Sequence, residues 1–351
     1  MEGFNNIYNG KNVFVTGHTG FKGSWLCLWL EQLGAHITGF SDKVPTRPAH
    51  FPLLSLEIND LRGDIRDKDA ISAAIQETNP DIIFHLAAQP LVRLSYQEPI
   101  ETFETNVLGT IHVMEAARKA GNCGVFVNIT SDKCYENREW EHPYKETDHM
   151  GGYDPYSASK GCAELITSSW RRSFMEKEGK LLASTRAGNV IGGGDWAADR
   201  LLPDIFRATA EGKMVKIRKP LATRPWQHVL EPIGGYLLLG QKLLEGNKAF
   251  ADGWNFGPDS EDVRTVQDVL ETAKEFWNNI NYEIEIVENQ PHEAGLLRLD
   301  IEKAKKELDW HPKWHFKKTI ETTVNWYKDY YQGCEDMRQR SLDDLKAFIG
   351  V

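Results

Sequence analysis

A glycine-rich turn near the N-terminus constrains the fold of this chain more than any other feature. The apolar run of residues 12–16 ends at Gly17, and Gly20 and Gly23 follow at three-residue spacing before a helical pattern that Gly34 can end. Gly17 permits a tight turn, Gly20 lets the backbone approach a pyrophosphate, and Gly23 lets helix and strand pack closely. We therefore predict a helix N-terminus that binds the phosphates of a nucleotide, with an ordinary strand-to-helix turn as the alternative.

Composition narrows the class of protein. With 351 residues the chain has room for about two domains, and a formal net charge of −10 argues against a nucleic-acid-binding surface. The five cysteines are scattered without a Cys-x-x-Cys pair, so we interpret them as free thiols and predict no metal site. No apolar run reaches the roughly 18 residues of a membrane span, and the first ten residues lack a signal-peptide core. We therefore expect a cytoplasmic protein without a membrane partner.

The end of the predicted second strand indicates which nicotinamide cofactor is bound. Residues 36–40 form this strand, and Ser41 and Asp42 follow it about 20 residues after the glycine turn, where an acceptor for the ribose hydroxyls is expected. An acid at this place favours NAD over NADP. Lys43 and Arg47 follow closely and are suited to a 2'-phosphate, so NADP stays an alternative.

Two later strand ends are predicted to lie along the same cofactor. Asp64 follows a third apolar stretch and is suited either to an adenine amino group or to capping the next helix. On the first interpretation, Asp64 and Ile65 belong to the cofactor site. The strand at 81–86 ends in a short segment whose small residues let a cofactor pass close to the backbone: Leu86, Ala87, Ala88 and Gln89.

The alternation of strands and helices predicts an α/β fold with a Rossmann-type, doubly wound parallel sheet. In such a sheet the chemistry lies at the carboxyl ends of the strands. The buried strand at 125–129 is followed at that end by Ser131, Asp132 and Lys133. This polar strand end is a candidate catalytic site.

Tyr156 and Lys160 lie near the start of a predicted helix, one turn apart on a shared face. A lysine ammonium beside the phenol favours the phenolate and lowers its pKa from about 10 toward neutrality. We therefore predict that Tyr156 is a base that removes a hydroxyl proton. Taken alone, this spacing is common on helix surfaces, so the prediction depends on the neighbouring motifs.

These motifs together resemble the extended short-chain dehydrogenase/reductase family, in residues 16–23 and 86–89, in Asn106 with Val107, and in Tyr156 with Lys160. The resemblance extends over nearly the whole chain. It implies NAD(P) in a Rossmann half, a sugar nucleotide in a smaller C-terminal half, and the tyrosine and lysine as the redox pair. It also implies further cofactor contacts from the turn and from one asparagine: His18, Thr19, Phe21, Lys22 and Asn106.

Residues 18–26 and 130–135 more narrowly resemble the nucleotide-sugar 4,6-dehydratases of this family that act on a CDP-hexose. The resemblance implies that NAD takes hydride from carbon 4 of the sugar and returns it to carbon 6 after water is lost. Related dTDP-glucose enzymes carry an Asp-Glu pair where this chain has Asp132 and Lys133. Another dehydratase or a 4-epimerase of the family is the first alternative, and a catalytically silent NAD-binding regulator is the second.

The same resemblance implies a role for each candidate catalytic residue. Tyr156 would take the 4-hydroxyl proton while Ser131 binds the 4-oxygen. Asp132 would protonate the leaving 6-hydroxyl, and Lys133 would handle the proton on carbon 5. The alternative for Lys133 is an ion pair that only positions Asp132. Lys160 would also hold the nicotinamide ribose.

The second half of the chain is predicted to bind the substrate. We expect an NAD-binding domain of residues 1–186 and 227–256, and a discontinuous sugar-nucleotide-binding domain of residues 187–226 and 257–351. Positive charge is concentrated at 216–224 of an otherwise acidic chain, and a diphosphate would explain it, with a solvated basic loop as the alternative for Lys216 and Lys219. This charge and the resemblance together indicate the candidate substrate contacts: Asn189, Arg200, Arg218, Arg224 and His228.

Two long predicted helices, which follow Glu98 and Tyr156, carry more apolar residues than one buried stripe needs. The excess residues are Phe103, Ile111, Trp170 and Phe174. Pairing the two helices across a twofold axis would form a four-helix interface. We therefore expect a homodimer or homotetramer.

Overall fold

The computed structural model describes residues 3–217, 219–284 and 296–351, so the predicted substrate contact Arg218 lies outside the described residues. The strands in these ranges are β1 (Asn12–Thr16), β2 (His36–Ser41), β3 (Asn59–Arg62), β4 (Ile82–His85), β5 (Val125–Ile129), β6 (Leu181–Arg186), β7 (Val190–Ile191), β8 (Val215–Ile217), β9 (Thr223–Pro225), β10 (Gln227–His228), β11 (Gly253–Asn255), β12 (Val263–Thr265) and β13 (Tyr282–Ile284).

Seven of these strands form one sheet in the order β3-β2-β1-β4-β5-β6-β11, and every neighbouring pair is parallel. The strand order reverses between β1 and β4, so the carboxyl ends of these two strands flank a crevice. After β6, the described strands other than β11 pair in three small sheets, β7 with β10, β8 with β13, and β9 with β12. The predicted α/β fold with a Rossmann-type sheet is confirmed.

Helices cover both faces of the large sheet. The α-helices are α1 (Phe21–Gln32), α2 (His50–Leu54), α3 (Lys68–Thr78), α4 (Val92–Gln97), α5 (Pro99–Phe103), α6 (Thr110–Lys119), α7 (Pro155–Trp170), α8 (Leu201–Ala210), α9 (Leu230–Leu244), α10 (Val266–Phe276), α11 (Glu302–Leu308), α12 (Phe316–Tyr331) and α13 (Met337–Ile349). The core around α1 and α9 includes Val13 and Val15 of β1, whereas the core around α3 and α6 includes Phe14. Because β1 is buried on both faces, its sequence is a nearly continuous apolar run.

The predicted helix that begins at Pro99 differs in detail from the observed one. The helical pattern that begins at Pro99 is divided into α5, a π-helical turn at Glu104–Gly109, and α6. A π-helical turn accommodates an extra residue within a helix and is frequent at functional sites. The sequence period of three and four residues continues across this insertion, so the pattern did not reveal it.

Three buried histidines should make the fold sensitive to acid. His50, His85 and His228 are almost fully buried, and burial lowers the pKa of each to about 3. An unfolded histidine titrates near pH 6.5, so below that pH the unfolded chain binds protons that the folded chain does not, and stability falls with pH. At pH 5 the expected loss in the free energy of unfolding is about 2 kcal/mol for each histidine.

Thermal unfolding at pH 7 and pH 5 measures this loss. His50→Gln should remove about 2 kcal/mol of the difference between the two pH values, because it removes one of these titrating groups. A pH dependence that is unchanged in this variant would contradict the assignment to His50.

Candidate active site

The glycine-rich turn has a geometry that only glycine supports. Gly17 lies in the left-handed region (φ +73°), and a Cβ there would lie 2.7 Å from the backbone nitrogen of Ala87. A Cβ on Gly23 would lie 2.1 Å from the Gly17 carbonyl oxygen, so the missing side chain lets α1 pack against the turn. Gly20 directly precedes α1, whose first N–H groups have no partner within the helix. These residues fit the pyrophosphate of a nicotinamide dinucleotide.

A buried hydrogen-bond chain that sequence reasoning missed supports this turn. Thr16 Oγ1 lies 2.7 Å from His85 Nδ1 and accepts from the backbone N–H groups of Leu86 and Ala87 at 3.2 Å. His85 Nε2 lies 3.0 Å from Thr110 Oγ1 on α6. These bonds hold the end of β4 against the glycine turn. In the sequence, the histidine at the end of the apolar strand at 81–86 was the signal that could have revealed these hydrogen bonds.

His18 and Ser41, both predicted cofactor contacts, bind each other inside the protein. His18 Nδ1 lies 2.9 Å from Ser41 Oγ, and His18 Nε2 lies 2.8 Å from Asp60 Oδ1. The ring is fully buried, and a Cβ on Gly39 would lie 2.3 Å from it. Both side chains therefore have protein partners, and their contact with a cofactor stays a prediction.

Asp42 lies at the end of β2 with about half of its side chain exposed. Its Oδ1 accepts from the Lys43 backbone N–H at 2.7 Å, and its Oδ2 lies 3.7 Å from Lys43 Nζ. The Thr19 hydroxyl donates to the Lys43 carbonyl at 2.7 Å. The acid and the neighbouring cation are thus both present at this edge, and the preference for NAD over NADP stays a prediction.

Asp64 does not cap a helix. Its carboxylate accepts from the Arg66 backbone N–H at 2.8 Å and from Arg66 Nη2 at 2.6 Å. The cap of α3 is Asp67, which accepts from two N–H groups of the first turn. The capping alternative is therefore wrong, while the adenine contact stays a prediction. Ile65 is buried, with its carbonyl 3.1 Å from His112 Nδ1.

Asn106 joins two parts of the site. Its Oδ1 accepts from the Gln89 N–H at 2.8 Å, and its Nδ2 donates to the Gln89 carbonyl at 3.1 Å. Nδ2 also lies 2.9 Å from Ser159 Oγ, next to Lys160 on α7. The π-helical turn at Glu104–Gly109 therefore carries a residue that connects the end of β4 to α7.

α7 places Tyr156 and Lys160 in the site. The helix begins where it does because Asp154 accepts from the Ser157 N–H at 2.9 Å and Pro155 occupies the first helical position. Tyr156 and Lys160 lie one turn apart, and both are buried. The spacing of the two residues in the sequence thus predicted their shared position.

The predicted lowering of the Tyr156 pKa by Lys160 is not seen in this structure, while the role of Tyr156 as a base stays a prediction. Burial raises the pKa of Tyr156 to about 12, and a hydrogen bond with the Ser131 side chain offsets only part of this. Burial also lowers the pKa of Lys160 to about 8. Removal from water disfavours both charged forms, so it outweighs the pairing that the helical spacing suggested.

The polar end of β5 meets Tyr156. The Ser131 hydroxyl donates to Asp132 Oδ1 at 2.9 Å and accepts from the Lys133 backbone N–H at 3.2 Å. Because Ser131 also contacts Tyr156, it connects the carboxylate to the phenol. Lys133 is half-buried, and within the described residues no ion pair shorter than 4.0 Å joins it to Asp132.

Two more cations lie in the same cluster. Burial is the main reason that the pKa of Lys22 is lowered to about 8. The charges of Arg200 and Lys160 also lower this pKa, whereas the charge of Asp132 raises it. Arg200 Nη1 lies 2.6 Å from Asp195 Oδ2. The structure thus brings the glycine turn, the end of β5 and the residue before α8 together. A concentration of positive charge suits phosphate groups.

A cavity of about 160 Å³ lies beside Asp132. It is bounded on one side by the ends of β5 and β6, and on the other by the segments at 257–260 and 298–305. Polar residues lining it include Gln227, Asp259, Ser260, Arg298 and Lys305. The cavity therefore connects the polar strand end to the second half of the chain.

Two predicted substrate contacts lie near this cavity. Asn189 (φ +49°) directly follows Gly188, which lines the cavity. Arg224 precedes Pro225, another lining residue, and its Nη1 donates to the Thr223 carbonyl at 2.8 Å. Their contact with a substrate stays a prediction.

His228 lies elsewhere. Its ring is fully buried, with its centroid 4.9 Å from that of Trp314 and 6.2 Å from that of Trp25. It is not among the residues that line the cavity. Because apolar packing explains its position, we leave His228 out of the proposed substrate contacts.

A buried ion pair, which sequence reasoning missed, underlies the cluster. Glu164 Oε2 lies 2.9 Å from Arg186 Nη2, and Glu164 also accepts from the hydroxyls of Thr130 and Ser184. Arg186 Nη1 donates to the Tyr135 hydroxyl at 2.6 Å. The pair thus connects the residues flanking the end of β5 with β6 and with α7, one turn beyond Lys160.

A family model described as GDP-mannose 4,6 dehydratase matches residues 14–323. The chain belongs to this family. The resemblance to the extended short-chain dehydrogenases/reductases is thereby confirmed. A CDP-glucose 4,6-dehydratase of Salmonella typhimurium is 52% identical over 355 residues, which cover 99% of this chain and 98% of that protein. A dTDP-glucose 4,6-dehydratase of the same organism is 27% identical over 338 residues, which cover 90% and 92%.

Solved structures share the fold of this family. A UDP-glucose 4-epimerase from Stenotrophomonas maltophila, with bound NAD and formylated UDP-arabinopyranose, matches with a TM-score of 0.80 and 20% identity, covering 92% of this chain and 100% of that chain. A protein with this fold thus binds NAD. Among the helices that the structure describes, none has the length and apolar character needed to cross a membrane.

Proposed function

We propose that the chain is an NAD-dependent CDP-glucose 4,6-dehydratase, which converts CDP-D-glucose to CDP-4-dehydro-6-deoxy-D-glucose and water. The observation that carries the proposal is the 52% identity to a CDP-glucose 4,6-dehydratase over nearly the full length of both chains. The meeting of Ser131, Asp132 and Tyr156 at one strand end supports it, because the reaction needs an acid and a base on the same sugar.

In this proposal each residue moves or holds a proton at a stated atom. Tyr156, in its phenolate form, accepts the proton of the 4-hydroxyl, and the Ser131 hydroxyl binds the same oxygen. Once carbon 4 is a ketone, the hydrogen on carbon 5 is acidic, and Lys133 removes it. Asp132 donates a proton to the 6-hydroxyl, which leaves as water. Asp132 is bound by Ser131 and lines the cavity, so a sugar in the cavity would be next to its carboxylate.

NAD, when bound, supplies the hydride acceptor and donor of this redox-neutral reaction. The residues that would hold it are Gly17, Gly20 and Gly23 at the pyrophosphate, Asp42 at the ribose, and Lys160 at the nicotinamide ribose. The missing side chains at the turn support the first of these contacts. Asn106 acts through Gln89 and Ser159, which it positions.

The substrate nucleotide would lie between the two predicted domains, residues 1–186 with 227–256 and residues 187–226 with 257–351. The cavity beside Asp132 has walls from both, which supports this placement. Arg200 and Arg224 are the proposed diphosphate contacts. Arg200 belongs to the positive cluster around Lys22, and Arg224 adjoins the cavity wall.

Product analysis tests the reaction. Incubation with CDP-glucose and NAD should yield a 4-keto-6-deoxy sugar nucleotide without added reductant. An isomeric sugar without loss of water would instead indicate a 4-epimerase. Thermal shifts with the diphosphates of cytidine, thymidine, uridine and guanosine test the base, and equal shifts would remove the assignment to cytidine.

We also expect the chain to form at least a dimer through α5–α6 and α7. Ile100 is 73% exposed and Leu165 is 59% exposed, and Leu108 and Phe103 are also exposed on these segments, as is Phe174 just after α7. Burying these side chains in a four-helix interface would remove a large apolar surface from water. Sedimentation at micromolar concentration should show a dimer or tetramer for the wild type and a smaller species for Leu165→Glu.

Met214→Glu is the matched control, because Met214 is also exposed and apolar but lies before β8. It should sediment like the wild type. A monomeric wild-type chain would contradict the proposed interface.

A further inference from the structure

Gly188 lies against the carboxylate of Asp132. A Cβ built on Gly188 would lie 1.8 Å from Asp132 Oδ2 and 2.1 Å from Asp132 Cγ. Non-bonded carbon and oxygen atoms do not approach this closely, so the carboxylate occupies the space that any side chain at 188 would need. Asp132 is almost fully buried, and Ser131 binds its other oxygen at 2.9 Å.

The backbone does not explain why this residue is glycine. Gly188 is not among the residues with positive φ, so its backbone does not lie in the left-handed region that favours glycine. The three atoms that a Cβ at this position would meet first all belong to Asp132. The absence of a side chain at position 188 therefore makes room for one neighbour, Asp132, which is the proposed acid.

Gln227 holds Gly188 in place. Its Nε2 donates to the Gly188 carbonyl at 3.0 Å and to the Phe256 carbonyl at 3.1 Å. Gln227 is 2% exposed and lines the cavity together with Gly188 and Asp132. These two hydrogen bonds fix the loop after β6 relative to β10 and to the end of β11, so this loop cannot easily move away from Asp132.

We propose that Gly188, fixed by Gln227, is a positioning residue that sets the direction of the Asp132 carboxylate. The inference rests on the proposed function, in which Asp132 protonates the leaving hydroxyl. A side chain at 188 would turn the carboxylate away from the cavity or push apart β5 and the loop after β6. Either change would impair elimination more than oxidation at carbon 4.

A double-mutant cycle on the full chain tests this inference. Gly188→Ala should reduce turnover of CDP-glucose by about 10²-fold or more, the range expected when a general acid is misplaced. Reduced nicotinamide should still form on the enzyme when CDP-glucose is added. In the Asp132→Ala background, Gly188→Ala should cause no further loss of turnover and no further fall in Tm, because the clashing carboxylate is gone.

Two controls keep the outcomes distinct. Gly124→Ala introduces a Cβ that meets nothing within 4 Å and should leave turnover and Tm unchanged. Asp132→Asn keeps the shape of the carboxylate, so adding Gly188→Ala to it should still lower Tm. Near wild-type turnover of Gly188→Ala, or effects on Tm that simply add in the Asp132→Ala background, would overturn the inference. A wild-type chain inactive on CDP-glucose would contradict the proposed function, whereas the Tm cycle would still test the contact.

Discussion

Tyr156→Phe should reduce turnover of CDP-glucose by about 10²- to 10⁴-fold, the contribution typical of a positioned general base. The phenylalanine keeps the ring that packs at the start of α7 but cannot accept the 4-hydroxyl proton. Hydride therefore cannot leave carbon 4, and all later steps stop. Binding of the nucleotide substrate should stay near normal, because the cavity beside Asp132 does not depend on the phenol.

Isotope transfer measures this prediction. With deuterium at carbon 4, the wild-type product should carry deuterium at carbon 6, and Tyr156→Phe should form none of this product. Tyr153→Phe is the matched control, because Tyr153 is exposed on the same segment. Transfer at the wild-type rate in Tyr156→Phe would exclude the tyrosine as the base. Complete loss of the deuterium to solvent in the wild type would exclude the return of hydride to carbon 6.

Lys133→Ala should separate oxidation from elimination. Removal of the base for carbon 5 leaves Tyr156 and Lys160 intact, so carbon 4 is oxidised and reduced nicotinamide accumulates on the enzyme. Overall turnover should fall by about 10²- to 10⁴-fold. Exchange of the carbon 5 hydrogen with solvent should vanish, because no other described side chain is proposed to take that proton.

Absorbance of the bound reduced cofactor and exchange at carbon 5 measure the two effects separately. Lys177→Ala, at an exposed lysine outside the site, is the control and should behave like the wild type. If Lys133 only oriented Asp132 through an ion pair, exchange at carbon 5 would continue in Lys133→Ala. In the part of the chain that the structure describes, no ion pair within 4.0 Å joins the two residues, which argues against this alternative.

The sequence alone could not predict the ionisation of Tyr156. A four-residue spacing correctly predicted that Tyr156 and Lys160 share a face of α7, because helical geometry depends only on neighbours along the chain. It could not predict how deeply both are buried, since that depends on the packing of α7 against β5 and the loop after β6. Burial is the dominant effect on both pKa values.

His18 and His228 show the same limit. Each lies in a motif that suggested a ligand contact, yet both rings are fully buried. His18 binds Ser41 and Asp60, which lie more than 20 positions later in the chain. No local pattern reports such partners, because they come together only when separate strands pair.

The sequence by itself determined the parallel α/β order of the chain and the glycine turn between β1 and α1. It also placed Ser131, Asp132 and Lys133 at a strand end. These features follow from apolar periodicity and from the φ angles that glycine permits, which are properties of adjacent residues. Only the tertiary structure decided that Gly188 provides the space for the Asp132 carboxylate. Steric contact and removal from water depend on residues that are distant in sequence, so they are set when β5 and β6 pair and the loop after β6 closes over the end of the sheet.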